Sequence, residues 1–120
     1  MIKILTKIFR SFTYAFNGLK IGLSGELNLR VHFLSAIAAI SLGLFFHISK
    51  AEWLALLLVI GLVISTELMN TALEHLADFV SPEKHPKIKI VKDLAAAAVT
   101  IAAIIALVIG VIIFLPKITQ

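Results

Sequence analysis

Two segments of this sequence are apolar over the full thickness of a lipid bilayer. Leu94–Leu115 has no Asp, Glu, Lys or Arg in 22 positions, and Val31–Ser49 has none either. A helix of either length can cross a hydrocarbon core of about 30 Å. A third segment starts apolar at Trp53 and acquires carboxylates toward its C-terminal end. With 60% hydrophobic residues overall, the sequence predicts an all-α integral membrane protein whose three transmembrane helices cover residues 31–49, 53–80 and 92–115.

Residues 1–25 carry the pattern of an amphipathic surface helix. Apolar side chains recur at steps of three and four residues from Leu5 to Leu23, while a polar stripe that includes Lys7 and Tyr14 occupies the opposite face. A helix of this kind lies in the headgroup plane with its apolar side toward the lipid. We therefore expect a single membrane domain, residues 1–120, in which this surface helix precedes the three spans.

Two breaks between helices are predicted, and both lie on the side of the membrane that holds the N-terminus. Gly22 and Gly25 weaken the first helix just before Glu26, so a turn or kink is expected there. Ser81-Pro82 should end the second span, because proline disfavours helical geometry in the preceding residue. The basic segment that follows, up to Val91, is predicted to be a loop.

Basic residues are distributed unevenly between the two sides of the predicted bundle. Five precede the first span and four lie between the second and third, whereas the Lys50–Glu52 turn has no net charge. The positive-inside rule then places the N-terminus and the long loop of this multi-pass protein in the cytosol. Anionic lipid and phosphate-bearing ligands can balance the net charge of +4, so no nucleic acid partner is expected. The absence of cysteine excludes disulfides and thiol redox catalysis.

Small residues recur every four positions in the first and third spans. The first span has Ser35, Ala39 and Gly43 at this spacing, and the third has a run from Ala98 to Gly110. Small side chains let helices approach closely in lipid, so both runs predict surfaces for helix packing and self-association.

A stripe of polar residues marks the C-terminal half of the second span. Glu67, Asn70, Glu74 and Asp78 fall within about an 80° arc of a helix, so they face a common partner. Glu67 lies 14 residues beyond Trp53, the expected outer interfacial aromatic, which puts it about 21 Å into the membrane, near the cytosolic side. Carboxylates at such a depth are costly, and they therefore indicate a functional site.

The chemistry of this stripe suits phosphoryl transfer, although it is open to another interpretation. Mg²⁺ needs only one or two carboxylates beside phosphate oxygens and waters, and Glu26 and Glu74 could supply them. Glu67 has the depth at which a lipid alcohol would hold its hydroxyl, so it is the candidate general base. None of the familiar soluble nucleotide-binding motifs is present. A proton or cation path through the same carboxylates is the alternative.

The residues of the stripe and its surroundings also form a recognisable signature. It runs Glu67-x-x-Asn70-Thr-Ala-x-Glu74-x-x-x-Asp78 and continues through His85 to Lys92-Asp93 and the alanines at 95–98. On these residues the chain resembles the prokaryotic diacylglycerol kinase family over nearly its whole length. It is more similar to the undecaprenol kinases within that family, as Glu26-x-Asn28-x-x-x-His32 and the His85-Pro86 pair indicate.

The resemblance implies a homotrimeric, three-span kinase whose active sites are shared between neighbouring subunits. It implies that Glu67 is the general base and that Asn70 orients it, while Glu26 and Glu74 hold Mg²⁺. The implied nucleotide contacts are Lys7, Tyr14, Glu26, Glu74, Glu83, Lys84, His85, Lys92 and Asp93. The implied lipid contacts are Glu26, Asn28, Arg30 and Glu67.

We accordingly expect an ATP-dependent kinase that phosphorylates a membrane polyprenol, undecaprenol, at the cytosolic face. Ala96 stands where the Gram-negative branch of the family has a substrate-contacting serine, which favours undecaprenol over diacylglycerol. Phosphorylation of diacylglycerol to phosphatidic acid is the first alternative. The others are a proton or cation conductor and a membrane scaffold without catalysis.

Overall fold

The computed structural model describes residues 1–120, which form four helices and no strand. The helices are α1 (Ile2–Gly25), α2 (Leu27–Phe46), α3 (Lys50–Val80) and α4 (Pro86–Ile118). The last three are long and apolar enough to cross a membrane. The prediction of an all-helical chain with three candidate spans is confirmed.

The break between α1 and α2 falls at Glu26, where the sequence predicts a turn. Glu26 is extended, with φ −120° and ψ 115°, and its N–H donates to the carbonyl of Gly22. Gly22 is required for a close approach, because a Cβ there would lie 2.6 Å from Cδ2 of Leu29. Leu29 is fully buried. The C-terminal turn of α1 is thus packed directly on the start of α2, and Glu26 lies at the junction.

The short turn between α2 and α3 is built from local hydrogen bonds. His47 adopts left-handed backbone geometry, with φ 51°, and closes α2 by donating its N–H to Gly43. Ser49 and Glu52 then form a capping box, in which each backbone N–H donates to the side-chain oxygen of the other residue. Lys117, near the end of α4, lies 3.4 Å from Oε1 of Glu52. This turn and the end of α4 therefore occupy the same end of the bundle.

The loop between α3 and α4 is shorter than the sequence predicts. The charge pattern predicts a loop up to Val91, whereas α4 begins at Pro86. Proline is well suited to the first helical position, and Nδ1 of His85 caps the helix by accepting from the Lys87 N–H at 3.1 Å. The starts of α2 and α3 also differ from the prediction: α2 starts at Leu27 and not at residue 31, and α3 starts at Lys50 and not at residue 53. Apolar runs mark the hydrocarbon core, while the helices continue beyond it.

Packing within one chain centres on α3, which lies mainly along α4 and less extensively against α2. Only 17 of the 120 residues are buried, so most of the apolar surface must be covered by lipid or by other chains. Within one chain, only part of each predicted run of small residues is in a helix contact, and Ala102 is buried. Gly43 does pack closely, against the ring of Trp53, but Ala106 and Gly110 line an open groove instead of a helix contact.

Candidate active site

All of the buried polar side chains of this protein lie in a little over one turn of α3. They are Glu67, Asn70 and Thr71, which expose 2%, 6% and 7% of their surface. A buried carboxylate is costly unless it is paired or has a function, so this turn is the strongest indication of a site in the chain. It belongs to the polar stripe that the sequence predicts.

Glu67 has one ion-pair partner, His32 on α2. Nε2 of His32 lies 3.7 Å from Oε2 of Glu67, and the His32 side chain is 22% exposed. The separation is too long for a direct hydrogen bond, so the two groups face each other across a small gap. The sequence signature includes His32 without assigning it a role. The spacing of Asn28 and His32, one helical turn apart, was the available signal.

Asn70 connects the buried turn to Glu74. Its Nδ2 donates to Oε1 of Glu74 at 3.3 Å, and its side chain also lies close enough to Glu67 to act on that carboxylate. Its Oδ1 and the hydroxyl of Thr71 are buried with no hydrogen-bond partner in the chain. Buried polar atoms of this kind are costly, and they indicate that the turn is completed by something outside this single chain.

Glu26 reaches the same region from the α1–α2 junction. Its Oε1 lies 4.0 Å from Nε2 of His75, one residue after Glu74. Glu26 and Glu74 are both within electrostatic range of the Glu67 carboxylate. No cluster of three or more His, Cys, Asp or Glu side chains forms a dedicated metal cage. The donor chemistry nevertheless fits Mg²⁺, which is held by one or two carboxylates together with phosphate oxygens and waters.

Two lysines of α4 are paired with carboxylates at this end of the bundle. Nζ of Lys92 lies 2.5 Å from Oδ1 of Asp78 on α3. Nζ of Lys89 lies 2.6 Å from Oδ2 of Asp93, one turn further along α4. The partner of Asp78 on α3 is therefore a residue of α4.

The remaining predicted residues are exposed at the same end of the bundle. Asn28 and Arg30 lie in the first turn of α2, where Arg30 donates to the carbonyl of Ser24 at 3.3 Å. Glu83 and Lys84 lie in the loop before the His85 cap. Their side chains are open to solvent and free to meet a soluble ligand.

Lys7 and Tyr14 stand apart from this group within one chain. Both are exposed on α1, and neither side chain has a hydrogen bond or ion pair with the residues around Glu67. Tyr14 precedes Glu26 by 12 residues, which corresponds to about 18 Å of helix. A single chain does not bring these two residues to its own site.

An apolar groove begins beside Glu67 and runs toward the opposite end of the bundle. It has a volume of about 590 Å³ and is lined by 19 residues of α2, α3 and α4, of which 16 are hydrophobic. His32 is its only ionisable lining residue, and the far end reaches Phe114 and Ile118. The volume lies in the range of small-molecule sites, about 300–1,000 Å³.

Comparison with known proteins decides the family. The profile described as prokaryotic diacylglycerol kinase matches residues 13–114, which cover the end of α1 and nearly all of the three long helices. This chain belongs to the prokaryotic diacylglycerol kinase family. The resemblance inferred from the polar stripe is thereby confirmed.

Individual members of the prokaryotic diacylglycerol kinase family agree with this assignment. The chain is 40% identical to the undecaprenol kinase of Bacillus subtilis over 113 residues, which is 94% of this chain and 92% of the relative. It is 35% identical to the diacylglycerol kinase of Synechocystis over 95% of this chain and 66% of that protein. The diacylglycerol kinase of Helicobacter pylori strain 26695 is 33% identical over 82% of this chain and 77% of the relative. Similarity is therefore higher to the undecaprenol kinase than to these two diacylglycerol kinases.

Membership of the prokaryotic diacylglycerol kinase family makes this chain an enzyme of the lipid kinase class. Such an enzyme acts on a lipid and uses a nucleotide as its phosphoryl donor. Three helices able to span a membrane agree with a membrane-bound kinase.

Proposed function

We propose that this protein is an ATP-dependent undecaprenol kinase of the bacterial inner membrane, with its active site at the cytosolic face. One observation carries the proposal. The buried carboxylate of Glu67 faces His32 where the apolar groove begins, so a candidate base lies beside a binding surface for hydrocarbon. The 40% identity to the Bacillus subtilis undecaprenol kinase supports this acceptor.

In the proposed reaction, Glu67 is the general base. Its carboxylate accepts the proton of the polyprenol hydroxyl while the hydroxyl oxygen forms a bond to the γ-phosphorus of ATP. The bond from that phosphorus to the bridging β,γ-oxygen breaks in line, and ADP leaves. In phosphoryl transfer, the protein mainly positions the reactants and neutralises their charge. Burial of Glu67 keeps water from competing with the lipid hydroxyl.

Glu26 and Glu74 are proposed to hold Mg²⁺, which when bound would neutralise charge on the phosphate oxygens. Asn70 supports this arrangement by fixing one oxygen of Glu74 through its hydrogen bond. This leaves the other oxygen of the Glu74 carboxylate available to a cation. Asn70 is thereby proposed to position Glu74 and also to orient Glu67, as the resemblance implies.

The nucleotide is proposed to lie between the charged end of α4 and the loop before it. Asp93, His85, Lys84 and Glu83 are exposed there and Lys92 is half-buried, on the same side of the bundle as Glu26 and Glu74. Lys7 and Tyr14 are proposed to complete the nucleotide site of a neighbouring subunit, because within one chain they lie far from it. Glu26, Asn28 and Arg30 are proposed to contact the head of the lipid acceptor.

The functional unit is proposed to be a homotrimer. The large exposed apolar area and the unpartnered buried atoms of Asn70 and Thr71 support an assembly that covers them. Each chain is proposed to form one membrane domain in which α1 is an amphipathic helix on the cytosolic surface of the membrane. The opposite end, with Glu52 and Lys117, would then face outward.

Diacylglycerol is the second candidate acceptor, since two of the relatives described above are diacylglycerol kinases. The test is transfer of labelled γ-phosphate from ATP by the purified protein, offered undecaprenol and diacylglycerol in parallel mixed micelles. Preferential labelling of undecaprenol is the expected result. Preference for diacylglycerol would keep the chemistry and change the acceptor. Labelling of neither lipid would contradict the proposed kinase function.

A further inference from the structure

The apolar groove has a shape and polarity that match one kind of molecule. Three helices form its walls. The space exists because several of the lining residues are small, namely alanines and Gly110. Along α4 it extends from Ala103 to Ile118, which corresponds to about 22 Å. Such a length suits one extended hydrocarbon chain lying along the membrane normal.

Polarity is confined to one end of the groove. His32 and Ser35 line the end nearest Glu67, whereas the lining near Phe114 is apolar. A molecule with a single polar head and a long apolar body has the same asymmetry. A helix of a second copy of this chain is the competing occupant, and the oligomeric state of the Gly110→Leu variant distinguishes the two.

The gap between His32 and Glu67 has the right size for an alcohol. Nε2 of His32 and Oε2 of Glu67 are 3.7 Å apart, which is less than two hydrogen-bond lengths of about 2.8 Å each. One hydroxyl oxygen can therefore hydrogen bond to both side chains at once. It would donate to the carboxylate and accept from the imidazole N–H.

We propose that this groove binds the single hydrocarbon chain of the polyprenol acceptor and that His32 positions the acceptor hydroxyl against Glu67. The proposal rests on the proposed kinase function and deepens it, because it assigns a location to the acceptor chain. It also gives a physical reason for acceptor preference. One groove receives one chain, whereas diacylglycerol has two.

The test fills the groove at a position where a side chain can be added without a clash. A Cβ at Gly110 would meet no atom within 4 Å, and Gly110 lines the groove. Gly61 on α3 is the matched control, because its Cβ would also meet nothing and it lies outside the groove. Gly110→Leu and Gly61→Leu are each assayed with undecaprenol and with a short-chain prenol that ends before the level of Gly110.

We expect Gly110→Leu to raise the KM for undecaprenol at least about tenfold, which corresponds to about 1.4 kcal/mol of lost binding. The KM for ATP and the turnover of the short prenol should stay at wild-type values, and Gly61→Leu should change none of these quantities. An unchanged KM for undecaprenol in Gly110→Leu would overturn the proposal. So would loss of the oligomer in Gly110→Leu alone, because a second chain would then be the occupant of the groove.

Photolabelling separates this proposal from the kinase function, since it requires no turnover. A polyprenol whose extended length matches the groove, with a photoactivatable group at its apolar end, should label the groove near Phe114 in the wild-type protein, and Gly110→Leu should abolish that labelling. Labelling without phosphorylation would refute the kinase function and keep the groove as a lipid site. Phosphorylation with labelling elsewhere would refute the groove alone.

His32 is tested by His32→Gln, which retains a polar side chain, and by His32→Leu. A positioning role predicts a fall in kcat with undecaprenol in His32→Leu, partial recovery in His32→Gln, and no change in the KM for ATP. Equal activity of His32→Leu and the wild-type enzyme would overturn the role of His32. A change confined to thermal stability would do the same.

Discussion

The ammonium group of Lys92 on α4 lies 2.5 Å from Oδ1 of Asp78 on α3 and ties the two helices together beside the proposed nucleotide site. Both side chains are partly open to solvent, exposing 38% and 66% of their surface. An exposed pair contributes little to folding because water and salt screen it. Its importance is therefore expected to lie in where it holds Lys92.

The double-mutant cycle of Asp78→Asn and Lys92→Met tests this view of the pair. We expect a coupling of less than about 1 kcal/mol in the free energy of unfolding, as for other exposed pairs. The KM for ATP should rise in both variants and more strongly in Lys92→Met, since the lysine is the proposed nucleotide contact and Asp78 only holds it in position. An equal rise in both variants would indicate that Asp78 also acts on the nucleotide.

Glu67→Gln should remove the proposed general base while keeping the shape of the side chain. Turnover is expected to fall at least about a hundredfold, with oligomeric size and thermal stability unchanged. Glu52→Gln is the matched control on the same helix, because it lies at the opposite end and glutamine can also serve in its capping box. Near-normal turnover in Glu67→Gln would refute the assignment.

Glu74→Gln should weaken the response to magnesium. Glutamine keeps an oxygen that can accept the Asn70 hydrogen bond, so the substitution removes mainly the negative charge. We expect the Mg²⁺ concentration for half-maximal activity to rise, with partial recovery at high Mg²⁺. The measurement is a magnesium titration at saturating ATP and lipid. A titration curve identical to that of the wild-type enzyme would count against Glu74 as a ligand.

Gly43→Ala should destabilise the protein. A Cβ at this position would lie 2.7 Å from Cη2 of Trp53 and 3.1 Å from Cδ1 of Ile48, so the indole ring must move. Overpacking of this kind typically costs about 1–3 kcal/mol. Gly61→Ala is the control, because its Cβ meets open space and helix propensity favours alanine. Thermal unfolding in detergent should show a lower midpoint for Gly43→Ala only.

The proposed orientation can be tested directly because the chain contains no cysteine. Lys50→Cys places a thiol in the predicted outer turn, and Pro82→Cys places one in the predicted cytosolic loop. In intact cells, a membrane-impermeant maleimide should label the first variant but not the second. Permeabilised cells should show labelling of both. The reverse pattern would invert the proposed topology.

Much of this architecture follows from the sequence alone. Long apolar runs must form helices in lipid, because every backbone N–H and C=O there needs a hydrogen-bond partner and a single helix supplies them all. Glycines before Glu26 and the Ser81-Pro82 pair mark helix ends through local backbone chemistry. The polar stripe from Glu67 to Asp78 follows from helical periodicity. The α4 start is the exception, since charge interrupts an apolar run without ending a helix.

Contacts between helices could not be predicted in the same way. The pairing of His32 with Glu67, and of Lys92 with Asp78, depends on the rotation and depth of two helices relative to each other. Alanine and glycine runs indicate where helices can approach closely, yet they do not say whether the space is filled by a helix or left open. Gly43 is in close contact, whereas Gly110 faces the groove.

The amino-acid sequence by itself therefore determined the number of helices, the breaks at Glu26 and Ser81, and the face of α3 that carries the carboxylates, because these depend on local periodicity and on the cost of polar groups in lipid. Only the tertiary structure decided that Glu67 faces His32, that Lys92 pairs with Asp78, and that a groove opens beside Glu67. Those relationships arise from side-chain packing between helices distant in sequence, which no local pattern encodes.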